Sequence, residues 1–186
     1  MIPDSYFLLD PIARYEYTKP FREKYDDRNF SQAYEYAERV EEDLLDHVVE
    51  LHSILVKDTL HKDLCGFRLD DVEIYETSKG QILKRLPLLD FSEEIKRLSK
   101  EKSAFKDLEQ IAFEHIEILK LHAFTDGNCR LARFITCKRL ADLGGRYFYK
   151  YLERKSDDYM QEINKVFYRG GSVQSFADYL RRITIF

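Results

Sequence analysis

Between residues 121 and 134 the chain reads LHAFTDGNCRLARF, and this short stretch holds a histidine, a carboxylate, a Gly-Asn turn and two arginines. The pattern predicts a helix that ends near His122, a loop carrying Asp126-Gly127-Asn128, and a new helix that starts near Cys129. Asn128 is a favourable N-cap type. The first N–H groups of the helix behind it, with the positive end of the helix dipole, make a ready anion site. Arg130 and Arg133 are three apart on that helix and share a face, so their guanidinium forks suit further phosphate oxygens. Asp126 lies just ahead of the anion site, where one carboxylate plus substrate phosphates is the usual way to hold Mg²⁺. His122, at the end of the preceding helix, is placed to take a proton from an attacking hydroxyl.

Taken singly, each of these residues has a plainer reading. A lone histidine at a helix end is usually structural or exposed, Asp-Gly-Asn alone is an ordinary turn with a cap, and two arginines on a helix are usually a solvated face. It is their convergence within one segment that favours chemistry. His115 reads as a packing or hydrogen-bonding residue, and His47, His52 and His61 have no companions that suggest metal ligation.

The elements that position this segment are mainly helical. From Ser31 a helical pattern begins, and Leu44, Leu45, Val48, Val49, Leu51, His52 and Leu55 fall mostly on one face. VEIYE and QILKRL flank Thr77-Ser78-Lys79-Gly80, a polar turn with a glycine, which predicts a β-hairpin. Helical patterns return at Ser92 to Lys102 and at Asp107 to Leu121. The second carries the stripe Leu108, Ile111, Ala112, His115 and Leu119 and runs into the motif. The next helix, Arg130 to Leu143, stops at Gly144-Gly145, and two more follow near Ser156 to Tyr168 and Gln174 to Ile183. The expected fold class is all-α with one small hairpin: residues 1–30 an arm packed over the domain, residues 31–186 the domain itself.

Composition narrows the function classes. With 186 residues, 44% hydrophobic and 34% charged, the chain fits one compact domain. Thirty basic side chains stand against 34 acidic ones, so no global positive field favours DNA or RNA, and any anion site must be built locally. The 13 Tyr and 13 Phe, without Trp, read as packing rather than a base-stacking platform. Three cysteines, Cys65, Cys129 and Cys137, make no disulfide framework and are read as thiols in a reducing compartment. No apolar run approaches the roughly 18 residues that span a bilayer, and MIPDSYFLLDPIARYEY lacks a basic region ahead of its apolar residues. A cytoplasmic protein without membrane contact is expected, with secretion by a signal-less route left open.

The segment HAFTDGNCRLAR resembles the signature loop of the Fic domain family, usually written HPFxDGNGRxxR. Seven positions agree: His122, Phe124, Asp126, Gly127, Asn128, Arg130 and Arg133. At equal residue frequencies this would occur by chance about once in 10⁹ windows. VVELHSIL is similar to the early family helix, His115 sits seven before the motif histidine as is common there, and YLERKSDDYMQEI is similar to the segment after the motif helix. The likeness covers roughly residues 33 to 183 and is diffuse outside the loop.

The resemblance implies a Fic-like fold and a protein adenylyltransferase. His122 would deprotonate a Ser, Thr or Tyr hydroxyl of a target protein, which attacks the α-phosphate of ATP as pyrophosphate leaves. Asp126 would hold Mg²⁺, the backbone N–H groups around Gly127, Asn128 and Cys129 the phosphates, and Arg130 and Arg133 the β and γ ends. Phe124 would anchor the loop. The hairpin over Val72 to Leu86 is similar to the family's flap, which aligns a target segment by strand addition.

Two positions depart from the pattern. Ala123 stands where the family usually has Pro, which frees φ and loosens the loop slightly. Cys129 stands where most members have Gly and a kinase-like subgroup has Lys. Its side chain would crowd the β-phosphate or shift the nucleotide, with a strain of roughly 1 to 2 kcal/mol if the residue needs positive φ. A thiol there is also a candidate for oxidation. Two alternatives therefore stand beside AMP transfer: a kinase-like transfer of the γ-phosphate, and a nucleotide- or protein-binding module without catalysis. Many family members carry an inhibitory helix with Ser or Thr, three residues, then Glu before Gly or Asn. Here only Ser31 to Glu35 has the spacing, and Tyr36 follows. Otherwise inhibition would come from a separate protein or from self-association.

Overall fold

The structure, a computed structural model, describes residues 28–57, 65–76, 81–101, 107–144, 156–168 and 170–184. Residues 1–27 of the arm, His61, the hairpin turn Thr77-Ser78-Lys79-Gly80 and Gly145 lie outside the described residues. The described part is mostly helical with one antiparallel hairpin, the expected fold class. No helix among the described residues is long and apolar enough to cross a membrane. The chain divides into two compact units, one running up to Phe91 and including His122–Asn128, the other made of Ser92–Leu121 and Cys129 onward.

In the first unit, helix α1 covers 28–37, so the helix is already in place three residues before the predicted onset at Ser31. A 3-10 turn, Leu44–His47, leads into α2, Val48–Val56. Asp43 caps the turn, its carboxylate accepting from the Leu45 N–H at 2.9 Å. The apolar stripe read from the sequence is the buried face: Leu44, Leu45, Val48, Leu51, His52 and Leu55 are all buried. β1 (Val72–Glu76) pairs antiparallel with β2 (Gln81–Leu86), Val72 facing Leu86 and Glu73 facing Arg85. The register is irregular between Ile74 and Tyr75.

The second unit takes in most of α3 (Phe91–Glu101), all of α4 (Asp107–Leu121), α5 (Asn128–Asp142) from Cys129 onward, α6 (Ser156–Tyr168) and α7 (Val173–Ile183). α4 is wrapped more fully than one stripe, because Phe113, Glu114, Ile116 and Ile118 are buried as well. The buried Glu114 carboxylate is compensated by Arg139 at 3.2 Å and by the Gln110 amide at 3.0 Å. α5 is apolar along most of its length, with Leu131, Ala132, Phe134, Ile135 and Leu140 buried. It ends as its glycine predicts: Gly144 takes φ +87° and its N–H returns to Ala141 at 2.9 Å. α7 packs against α4 and α6. All three cysteines are free thiols.

Candidate active site

The loop 122–128 is held from three directions, by Arg68, by His52 and by its own Asn128. His122 turns the chain out of α4 with φ +45°, a left-handed conformation that is uncommon for any residue but glycine. The following peptides are captured by Arg68. Its N–H donates to the Ala123 carbonyl at 2.9 Å, and its Nε donates to the His122 carbonyl at 2.9 Å. Next to this pair Phe67 and Phe124 form an antiparallel bridge, their rings 5.4 Å apart.

The second hold comes from α2. The His52 ring lies parallel to the Phe124 ring with centroids 3.8 Å apart, and its Nε2–H donates to the Asp126 carbonyl at 2.7 Å. A carbonyl can only accept, so this bond fixes the proton on Nε2. His52 thus has the structural role of a loop clamp, and it is fully buried. Close by, Gly127 takes φ +84°, and a Cβ there would lie 2.5 Å from Val56 Cγ1 and 3.0 Å from His52 Nε2. Only glycine lets the loop pass this close to α2.

The third hold is internal. Asn128 was expected to cap α5, but its amide instead pairs with the Phe124 peptide. Oδ1 accepts from the Phe124 N–H at 3.1 Å and Nδ2 donates to the Phe124 carbonyl at 2.7 Å. Two buried backbone groups that no ladder reaches are satisfied at once, which favours this use over the helix N–H groups. Asp126 Oδ1 accepts from the Gly127 N–H at 2.6 Å, one of the donors assigned to phosphate from the sequence.

Burial pushes the His122 imidazole down to about 4, with the Arg68 charge adding to the effect and the Asp126 carboxylate opposing it. At neutral pH the ring is therefore unprotonated and able to accept a proton. Phe124, the expected loop anchor, is 1% exposed and lies between His52 and Phe67.

The other motif residues belong to the start of α5. Cys129 is exposed and helical, so the left-handed strain considered for it does not arise. Arg130 is buried, which departs from a solvated helix face, while Arg133 is part-exposed and returns its Nε–H to the Cys129 carbonyl at 3.2 Å. α5 is tied to α4 by His115, whose Nδ1 lies 2.7 Å from the Thr136 hydroxyl and whose Nε2 lies 2.8 Å from the Tyr159 hydroxyl. The ring also packs on Phe176 at 4.7 Å. Its environment pushes His115 down to about 3, burial first and the Arg133 charge second. This is the packing and hydrogen-bonding role expected for it.

Of the proposed inhibitory pair, Ser31 and Glu35 both lie on α1. The Glu35 carboxylate is largely exposed and sits 3.9 Å from Arg39, one turn on. Among the described residues no group of three or more His, Cys, Asp or Glu side chains is arranged to hold a metal.

Arg68 and His52 contact the loop from 54 and 74 positions away in the chain, too far for motif spacing to find them. The one available signal is a histidine on the apolar face of α2.

No curated protein was found to match the chain. A family model described as the Fic/DOC family matches residues 42–140, more than half of the chain and the whole of the loop just described, and the protein belongs to that family.

Proposed function

We propose that the protein transfers AMP from ATP to a Ser, Thr or Tyr hydroxyl of a target protein, with His122 as general base. Family membership supports an enzyme that transfers part of a nucleotide. The finer reading rests on one observation above all: His122 is held in a strained backbone conformation with its ring unprotonated at neutral pH. A base with a pKa near 4 is weak, but the negative charge of a bound triphosphate favours the imidazolium and raises it toward the range where general bases work best. In the transfer the hydroxyl oxygen forms a bond to Pα, its proton goes to His122, and the bond from Pα to the bridging oxygen breaks as pyrophosphate leaves.

Asn128 and Cys129 would offer backbone N–H groups to the phosphates, Gly127 would do so on exchanging its bond to Asp126 Oδ1, and Arg130 and Arg133 would bind the β and γ ends. A Mg²⁺ ion held through a single carboxylate and substrate phosphates fits Asp126 without further protein ligands, and would supply positive charge against the developing charge on the phosphates. Target recognition is assigned to the hairpin. β1 and β2 form a two-stranded sheet, so each strand is an edge to which an extended target segment can add.

Cys129 favours keeping a second reading in view. Its helical backbone still presents an N–H, but its exposed thiol stands where the family usually has no side chain. A nucleotide seated in reverse would give γ-phosphate transfer, and loss of productive seating would leave a binding module. Label from α-labelled ATP on a protein band supports AMP transfer, whereas label from γ-labelled ATP alone refutes it in favour of the kinase-like mode. Binding of ATP without either label, with activity restored by Cys129→Gly, identifies the inactive module.

A further inference from the structure

The side chain of Arg68 is almost fully buried, and its hydrogen bonds all go to backbone carbonyls, one two residues away and two from distant segments. Nε donates to the His122 carbonyl at 2.9 Å, one terminal nitrogen donates to the Asp70 carbonyl, and the other donates to the Pro87 carbonyl at 2.7 Å. Asp70 lies two residues before β1, and Pro87 directly follows β2. The guanidinium therefore spans the open end of the hairpin, where the ladder has stopped at the Val72 and Leu86 pair. Asp71 strengthens the same end by accepting from the Leu88 N–H at 2.7 Å. The Phe91 ring covers the guanidinium at 4.8 Å.

The backbone of Arg68 is engaged on the other side. Its N–H holds the Ala123 carbonyl while its Nε holds the His122 carbonyl, so one residue captures two consecutive peptides of the loop. These are the peptides that fix the direction of His122 as it leaves its left-handed turn. A rigid planar fork is needed for this. Lysine, with one compact ammonium, cannot reach carbonyls of three segments in fixed directions.

We propose that Arg68 is a positioning residue for the transfer reaction, which sets His122 in register with the base of the hairpin by binding the His122, Asp70 and Pro87 carbonyls together. A target segment added to the hairpin is then presented at a fixed distance from the base. A misplacement of about 1 Å at such a site costs about 10²-fold in rate, so a tie of this kind acts on turnover rather than on nucleotide binding. The functional half of this inference rests on the AMP-transfer reading. Its structural half does not, and the ring of His122 reports on it directly.

The experiment uses the full chain, ¹⁵N-labelled, as wild type, Arg68→Gln and Arg68→Lys, with His122→Gln to assign the His122 ring signals. Ring titration is followed from pH 3 to 8, and labelling by α-labelled ATP is measured alongside for kcat and the KM for ATP. Among the described residues of its unit, the charges that act on His122 are Arg68 and Asp126, of opposite effect. Arg68→Gln removes the positive one, so the His122 midpoint is expected to move upward toward 6.5. kcat is expected to fall about 10²-fold with little change in KM. Arg68→Lys keeps the charge and loses the fork. Its midpoint is expected to stay near that of wild type while the ring signals move, and kcat recovers only in part, remaining about tenfold down.

A folded Arg68→Gln protein with the wild-type midpoint and wild-type kcat overturns the proposal. If Arg68→Gln does not fold, Arg68→Lys decides: wild-type ring signals and kcat refute the tie, and displaced signals with lowered kcat support it. If the wild type labels nothing, the AMP-transfer reading fails by itself, and the ring titration still tells whether Arg68 governs His122.

Discussion

His115 makes the acid stability of the second unit predictable. Its ring is fully buried between α4, α5 and α6, with both nitrogens in hydrogen bonds to hydroxyls and Phe176 against its face. Burial pushes it down to about 3, whereas an unfolded histidine titrates near 6.5. A histidine with a depressed folded value contributes full stability above the unfolded value. That stability is lost as pH falls from 6.5 toward 3, because only the unfolded chain gains the proton. Taking these two values, the loss at pH 5 is about 2 kcal/mol, and the slope there is about 1.4 kcal/mol per pH unit. For a chain of this length that lowers Tm by about 4 to 8 °C between pH 7.5 and pH 5. His115→Gln cannot take up the proton. It should be less stable at pH 7.5 by about 1 to 3 kcal/mol, through imperfect pairing of the Thr136 and Tyr159 hydroxyls, yet lose less on acidification. His122 adds a similar slope to both proteins, so the difference between the two curves isolates His115. Urea unfolding of both proteins at half-unit steps from pH 7.5 to 5 makes the comparison. Parallel curves for wild type and His115→Gln would refute the assignment.

The loop gives two further predictions. Gly127→Ala should destabilise by at least about 2 kcal/mol, combining left-handed strain with a Cβ placed 2.5 Å from Val56 Cγ1. Adding Val56→Ala should reduce the penalty specific to Gly127→Ala, as a double-mutant cycle in urea would show, while the strain at φ +84° persists. Asn128→Ala should cost about 2 to 4 kcal/mol by leaving the buried Phe124 N–H and carbonyl unpaired, and calorimetry can measure it. A cost below about 0.5 kcal/mol would show that water replaces the amide.

The parts of the fold that sequence periodicity captured are those whose causes are local. The stripe from Leu108 to Leu119 and the two alternating runs around Thr77–Gly80 placed α4, β1 and β2 at their observed bounds. α5 begins at Asn128, one residue before the start near Cys129 that the motif predicts and two before its apolar pattern at Arg130, because the polar residues of its first turn carry no periodic signal. The motif itself was legible as a row of side chains, but the means of holding it were not. Asn128 has one amide and two sets of backbone groups within reach, and only the folded loop decides for the Phe124 peptide over the helix end. Arg68 is surrounded in sequence by Phe67, Leu69 and Asp70, an ordinary stretch ahead of a strand. Its importance comes from joining the nearby Asp70 carbonyl to the His122 and Pro87 carbonyls, which two distant segments supply. His52 likewise shows only as a polar residue on an apolar face, and the loop it clamps arrives 74 residues later.

The claim that His122 is the base of an AMP transfer is tested most directly by incubating wild type and His122→Ala with Mg²⁺ and α-labelled ATP in a cell lysate. A labelled protein band is expected with wild type that weakens by about 10² to 10⁴-fold in the variant, the range for loss of general-base help. A band of equal strength with His122→Ala would contradict it.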